Sequence, residues 1–258
     1  MKKLLILLSL FPLFAHAQEK VQAPPSSTRA SYISIGYTDI LDTYLSQEKN
    51  TGTEVRYIGS REKALTKHPD WLRVTTNEVY VSLAGTRGND DCLLSATYNF
   101  HLGWLHQWQL PAQHLTLRAG GLIDGILGGA YNTRNTNNPA QARIALSIDP
   151  AAQAAWDFRI RQRLFRLNYE VSVPLLGAAF SPNYGQSYYE IFSRGNYDHN
   201  VVVTQPFNAP SLRQMLTLDF RLWRTVFSVG YLGDYRQMKI NNLKYHQWTH
   251  TVVLGWKL

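Results

Sequence analysis

The sequence predicts an all-β chain, an antiparallel up-and-down transmembrane β-barrel of ten or twelve strands. Apolar and polar residues alternate with a period of two along most of the chain, which is the mark of strands with one wet and one apolar face. The alternating runs reach the roughly 9 to 11 residues that a membrane-crossing strand needs. Beyond the N-terminal segment, no stretch has the 18 or so consecutive apolar residues of a membrane helix.

The N-terminus reads Lys2-Lys3, then apolar Leu4 to Ala15, then Ala15-His16-Ala17, the charged, hydrophobic and small-residue order of a cleaved secretory signal peptide over residues 1–17. A mature chain starting at Gln18 would hold 241 of the 258 residues, enough for one large β-domain. Residues 18–29, with Pro24-Pro25-Ser26-Ser27, read as a flexible leader, and residues 30–258 as the barrel. Removing Lys2 and Lys3 from the 26 basic residues leaves 24 against 18 acidic ones, a net charge of +6 that reads as ordinary surface charge. No long basic run or nucleic-acid motif is present, and an exported chain has no nucleic-acid partner to expect. Cys92 is the only cysteine, so no intrachain disulfide can form.

Ile33, Ile35 and Tyr37 alternate with Ser34 and Gly36, and Val55 and Tyr57 with Glu54 and Arg56. The charged stretch Ser60 to Trp71, with Pro69, reads as a connection. Val79, Val81 and Leu83 form the next strand, ended by a turn over Gly85 to Asp91 with Gly88-Asn89-Asp90. Leu94 to Trp104 alternates cleanly, and Leu110-Pro111-Ala112 leads into Leu115 to Ile123. An Asn-rich loop covers Tyr131 to Pro139. Ile144, Leu146, Ile148, Ala152, Trp156, Phe158 and Ile160 keep one phase, so a single strand runs through Arg143 to Gln162 with Pro150 marking a bulge or rim. Phe165 to Val173 follows.

Residues 177–210 form the longest stretch without sustained alternation, in which Tyr188 to Phe192 and Val201 to Thr204 are expected to make a short hairpin. Three runs close the chain, at Leu212 to Leu222, Phe227 to Arg236 and Trp248 to Leu258, with aromatics near their ends as in an interfacial girdle. With the C-terminus in the periplasm, the tight turns near Gln162-Arg163 and Trp223-Arg224 lie on that side and the loops at 131–139 and 177–210 lie outside. A soluble periplasmic barrel or sandwich, with its apolar face inside, is the rival architecture.

If the polar faces point inward, the lumen collects Arg56, Arg118, Arg159, Arg161, Arg166, Arg213, Arg221 and Arg236 against Glu54, Glu78, Asp124, Asp157, Glu170, Asp219 and Asp234. Unpaired buried ions cost several kcal/mol each, so nearly balanced charges in a narrow barrel are expected to pair and plug it.

The run Ser181-Pro182-Asn183-Tyr184-Gly185-Gln186-Ser187-Tyr188-Tyr189-Glu190-Ile191-Phe192, followed by Asn208-Ala209-Pro210-Ser211-Leu212-Arg213-Gln214, resembles an uncharacterised family of exported Bacteroidetes proteins carrying a domain of unknown function. The resemblance implies an outer-membrane barrel over most of the mature chain and carries no reaction or catalytic residue with it.

The same loop brings Ser181, Ser187, Ser193, Asp198 and His199 close in sequence, the ingredients of a lipid hydrolase of the phospholipase or lipid A deacylase type, but without a recognised nucleophile motif. They read as loop hydrogen-bonding groups. Tyr184, Tyr188, Tyr189, Phe192 and Tyr197 would either stack on sugar rings or pack over the barrel mouth, with packing favoured. His246 and His250, two pleats apart on one strand face beside Trp248, lack metal-ligand spacing and read as interfacial side chains. His101 joins the lumen network with Asn99. Gly120-Gly121 and Gly128-Gly129 lack the strand-to-helix setting of a nucleotide fingerprint.

The expectation is therefore an outer-membrane barrel with a plugged lumen and a structural or surface-interaction role. No catalytic residue, cofactor or metal is assigned; the partners are outer-membrane lipids and a glycan or protein at the outer loops. A lipid hydrolase and a small porin are the alternatives.

Overall fold

The computed structural model describes residues 27–88, 91–136 and 138–257. The signal peptide expected at 1–17 and most of the expected leader fall outside the described residues. The first strand starts at Ser27, inside the leader as read from sequence.

The strands are β1 Ser27–Asp42, β2 Asn50–Ala64, β3 Trp71–Gly85, β4 Leu93–Leu110, β5 Leu115–Asn132, β6 Ala140–Ile160, β7 Arg163–Ser172 and β8 Leu176–Phe180. The one-turn helix α1 Tyr188–Phe192 precedes β9 Val201–Thr204, β10 Leu212–Leu222, β11 Thr225–Ile240 and β12 Leu243–Lys257. Every pairing is antiparallel, and β12 returns to β1, with Ala30 opposite Lys257 and Asp42 opposite Tyr245. Ten wall positions close in the order β1 to β7, then β10, β11 and β12. Closure leaves the wall no free edge except where β8 and β9 continue it off β6.

The barrel is inverted relative to a soluble protein. Outward residues such as Ile35, Leu83, Leu127 and Leu254 are 56 to 61% exposed, while the inward Glu54, Arg56 and Glu78 are 0 to 1% exposed. That distribution removes the soluble rival, whose apolar faces would be the buried ones.

At one end the connections are short: residues 65–70, a single 3-10 turn at Pro111–Gln113, Arg161-Gln162 and Trp223-Arg224. At the other lie residues 43–49, 86–88, 91–92, 133–136, 138–139 and 181–200, together with the tight turn Asn241-Asn242. Asn241 and Asn242 both sit in the left-handed region, at φ 50° and 61°, the pair of conformations that lets a two-residue turn follow the right-handed strand twist.

Several local expectations change. Ser60 to Ala64 is strand, not connection: Arg61 and Lys63 point out and Glu62 turns inward, so no hydropathy contrast marked it. Pro150 stays inside β6, and the irregularity falls on its neighbour. Ala151 pairs with Ser172 but Ile148 pairs with Leu176, so the partner strand takes up one extra residue between β7 and β8. Across this bulge the outward phase passes from odd to even numbers, which is how β8 resumes the wall. The expected hairpin of Tyr188 to Phe192 with Val201 to Thr204 is not formed. β9 pairs instead with β8, and Tyr188–Phe192 is helical because Ser187 and Glu190 cap it reciprocally.

Candidate functional site: the charged lumen and its outer loop

The lumen is built by period-two geometry, since every second residue of each strand points to the axis. Arg56 stands at its centre. Its Nη2 lies 2.8 Å from Glu54, and its Nη1 donates to both Glu78 and Asp234 at 2.9 Å. The guanidinium is also stacked 4.1 Å from the Tyr80 ring. Glu78 receives a second partner in Arg213, and Asp234 a second in Arg236 at 3.2 Å, which also reaches to 3.7 Å from Asp124. The second oxygen of Glu54 accepts from Gln247 at 2.9 Å and Thr249 at 3.0 Å. Arg56 thus donates four hydrogen bonds to three carboxylates, one more than an ammonium's three donors could supply.

Beneath this layer Tyr32, Ile58, Met215, Leu232 and Val253 form an apolar floor, and above it Ile40, Leu45, Ala84, Leu93 and Ala130 pack under the loops. The Tyr32 ring lies across β12 only because residue 255 is glycine; a Cβ there would come 2.1 Å from the ring. Two cavities border the charged layer. One of about 410 Å³ opens toward the short-turn end and includes Arg118, Gln107, Asp219 and Lys257 in its lining. The other, about 120 Å³, lies toward the loops among Asp124, Arg143, Arg236 and Tyr245. Arg213 lines both, so the charged layer is the partition between them.

Of the eight arginines assigned inward from sequence, Arg56, Arg118, Arg166, Arg213 and Arg236 form ion pairs. Arg118 meets Glu62 at 2.8 Å, a carboxylate that the sequence reading left in a connection. Arg159, Arg161 and Arg221 are exposed at the short-turn end and take no part in the network. Asp219 is bound by Lys257 at 2.6 Å, Ser228 at 2.6 Å and Asn168 at 2.8 Å, not by Arg213 or Arg221. His101 faces inward as expected, 3.6 Å from Asp124.

The outer loop, residues 181–200, is tied to the wall. Asn200 donates to the Ser181 carbonyl at 3.1 Å and to Gln186 at 2.7 Å, and Asn241 donates to the carbonyls of Ser181 and His199. Tyr188 donates to Gln141 at 2.9 Å, accepts from the Ala142 N–H at 2.6 Å and meets Tyr44 edge-on. Burial pushes the Tyr188 phenol up to about 12. Ile191 is fully buried. Of the five loop aromatics, Tyr188 therefore packs and Phe192 stacks on it at 5.9 Å with one face still open, while Tyr184, Tyr189 and Tyr197 stay 62 to 68% exposed.

Asp198 and His199 touch at 2.5 Å, but both side chains are at least 74% exposed. Ser181 donates to the Pro182 carbonyl and Ser187 to Glu190, so neither hydroxyl is paired with His199. His246 and His250 have separate partners, Asp39 at 3.0 Å and Tyr231 at 2.6 Å, and no group of three metal-ligating side chains occurs among the described residues.

Comparison with solved structures shows the same fold elsewhere. The transport unit of the autotransporter AIDA-I from Escherichia coli superposes with a TM-score of 0.55 at 5% identity, covering 99% of this chain and 95% of that one. The TodX monoaromatic hydrocarbon channel, as its deltaS2 mutant, aligns over 91% of this chain and 90% of its own at 8% identity, with a TM-score of 0.26. No curated protein matches the sequence. On the AIDA-I superposition the fold is that of an outer-membrane barrel. A family model described as "Protein of unknown function (DUF3316)" matches residues 3–257, and the chain belongs to that family.

Proposed function

We propose that the protein is an outer-membrane barrel closed to solutes, which acts through the surface it presents at its loop end. The observation that carries this reading is Arg56 held by Glu54, Glu78 and Asp234 across the middle of the lumen. Pulling one buried partner away leaves an uncompensated charge at a cost of about 3 to 5 kcal/mol, so the layer does not part for a passing solute. The outward apolar band supports a membrane setting, and the charge order of residues 2–17 supports export. Four exposed aromatics on the tied loop offer faces to a glycan or protein.

Purified protein in planar bilayers tests the closed lumen: negligible conductance is expected, and large, steady currents would replace this reading with a porin. Location is tested separately. Heat-modifiable migration and detergent-dependent extraction from the outer membrane are expected, whereas recovery in an osmotic-shock fraction without detergent overturns the membrane assignment.

A further inference from the structure

The outward strip of β11 and β12 changes character in order from the loop end toward the middle of the wall. At the turn, Lys239 and Lys244 are directly opposite each other, both pointing out and both exposed. Neither ammonium has an ion-pair or hydrogen-bond partner among the described residues. Like charges facing each other across a ladder repel, and no described residue pairs with either ammonium to neutralise them.

Two registers further in, on the same face, Gln237 faces His246, and after them Tyr235 faces Trp248. Lys49 reaches over from the residue 43–49 loop, 5.4 Å from the Trp248 ring, and His246 stacks on that ring at 4.6 Å. Asp39, the carboxylate that β1 sets beside Trp248, is already engaged by Lys49 at 3.5 Å and His246 at 3.0 Å, and it makes no ion pair with Lys239 or Lys244. Beyond the aromatics come His250, hydrogen-bonded to Tyr231 at 2.6 Å, and then Val252 and Leu254, both more than half exposed. Cation, then aromatic, then aliphatic is the profile of an amphiphile standing beside the wall, with its anionic group at the rim and its chains in hydrocarbon.

We propose that this strip binds the phosphate-bearing headgroup of a lipid from the surrounding leaflet. Lys239 and Lys244 clasp the phosphate, and Trp248 and Tyr235 flank the glycerol or sugar to which it is attached. The site rests on the membrane-barrel reading above. It adds a ligand class, a phosphorylated amphiphile, and a location on the outside of the wall, independent of the lumen.

The test is thermal unfolding of the full-length protein in neutral maltoside micelles. These are doped in separate arms with phosphatidylglycerol, lipid A, diacylglycerol or dephosphorylated lipid A, with inorganic phosphate as a further arm. One or both phosphorylated lipids should raise the unfolding temperature by about 5 °C at a hundredfold excess over the dissociation constant. Which of the two does so identifies the source. K239Q/K244Q should lose that rise while keeping heat-modifiable migration, which shows that it is folded. R87Q/R134Q, which removes two charges from the same end, should keep it.

The proposal is overturned by an equal rise in K239Q/K244Q, by an equal rise with the lipids that lack phosphate, by a full effect of inorganic phosphate alone, or by no rise in any arm. If wild-type protein meanwhile fractionates with the outer membrane and migrates heat-modifiably, the barrel reading stands and only the lipid site falls.

Discussion

Arg56 concentrates the energetics of the lumen in one side chain, because three carboxylates lose their shared counter-charge if it is removed. Arg56→Ala is expected to destabilise the folded barrel by about 3 to 5 kcal/mol. Arg159→Ala, at an exposed position outside the network, should stay within about 0.5 kcal/mol. Urea unfolding of both variants in the same detergent checks the contrast, and equal midpoints would mean that the lumen is open water. Both arginines sat on the inward parity in the sequence, and nothing there separated them. Parity states which way a side chain points, but not how deep it lies or what faces it. Arg56 and Asp234 are 178 positions apart and meet only through the tilt and closure of the sheet. The same limit explains why Asp219 looked like an arginine partner and is held by Lys257, the last described residue, brought beside it by β12.

At the level of elements, alternation was readable wherever one face is apolar, and ten wall positions follow from it. It failed where both faces are polar, at Ser60 to Ala64, and where a cap outweighs strand propensity, at Tyr188 to Phe192. The second miss had a local signal, since Ser187 three residues before Glu190 is the spacing of a reciprocal helix cap. The Ser187 N–H and hydroxyl both donate to the Glu190 carboxylate and hold its pKa below the usual range. A depressed folded value contributes stability above the unfolded carboxylate pKa, about 4.3, and loses it as pH falls through the folded value. Exchange of the α1 amides, corrected for intrinsic rate, should therefore accelerate on acidification below about pH 4. Ser187→Ala removes a cap worth about 1 kcal/mol, so those amides should exchange roughly fivefold faster at neutral pH, with a flatter pH response. An unchanged exchange rate in Ser187→Ala would show that Ile191 packing alone holds the loop.

For the whole molecule the question is whether the barrel is closed by its loop or by its wall. The loop is separable on geometric grounds: the Ser181 N–H donates to the Asn200 carbonyl at 2.9 Å, so β8 and β9 are already within reach of a tight turn beneath it. Replacing residues 182–199 by Gly-Gly should leave a folded barrel, because the ten closing pairings lie elsewhere. Conductance in planar bilayers should stay negligible in that variant, since the partition at Arg56 and Arg213 is made of wall side chains. Arg213→Ala, with the loop intact, acts on the partition itself. It removes the charged side chain that lines both cavities, which otherwise share only Ser172, and takes one of the two counter-charges from Glu78. Water should enter around the exposed carboxylate, and a small, cation-preferring conductance should appear. The reverse pattern, current from the loop deletion and none from Arg213→Ala, would make the loop the lid of an otherwise continuous channel. In that case the ion pairs of the lumen would be the lining of a pore, and a gated transport role would replace the closed one.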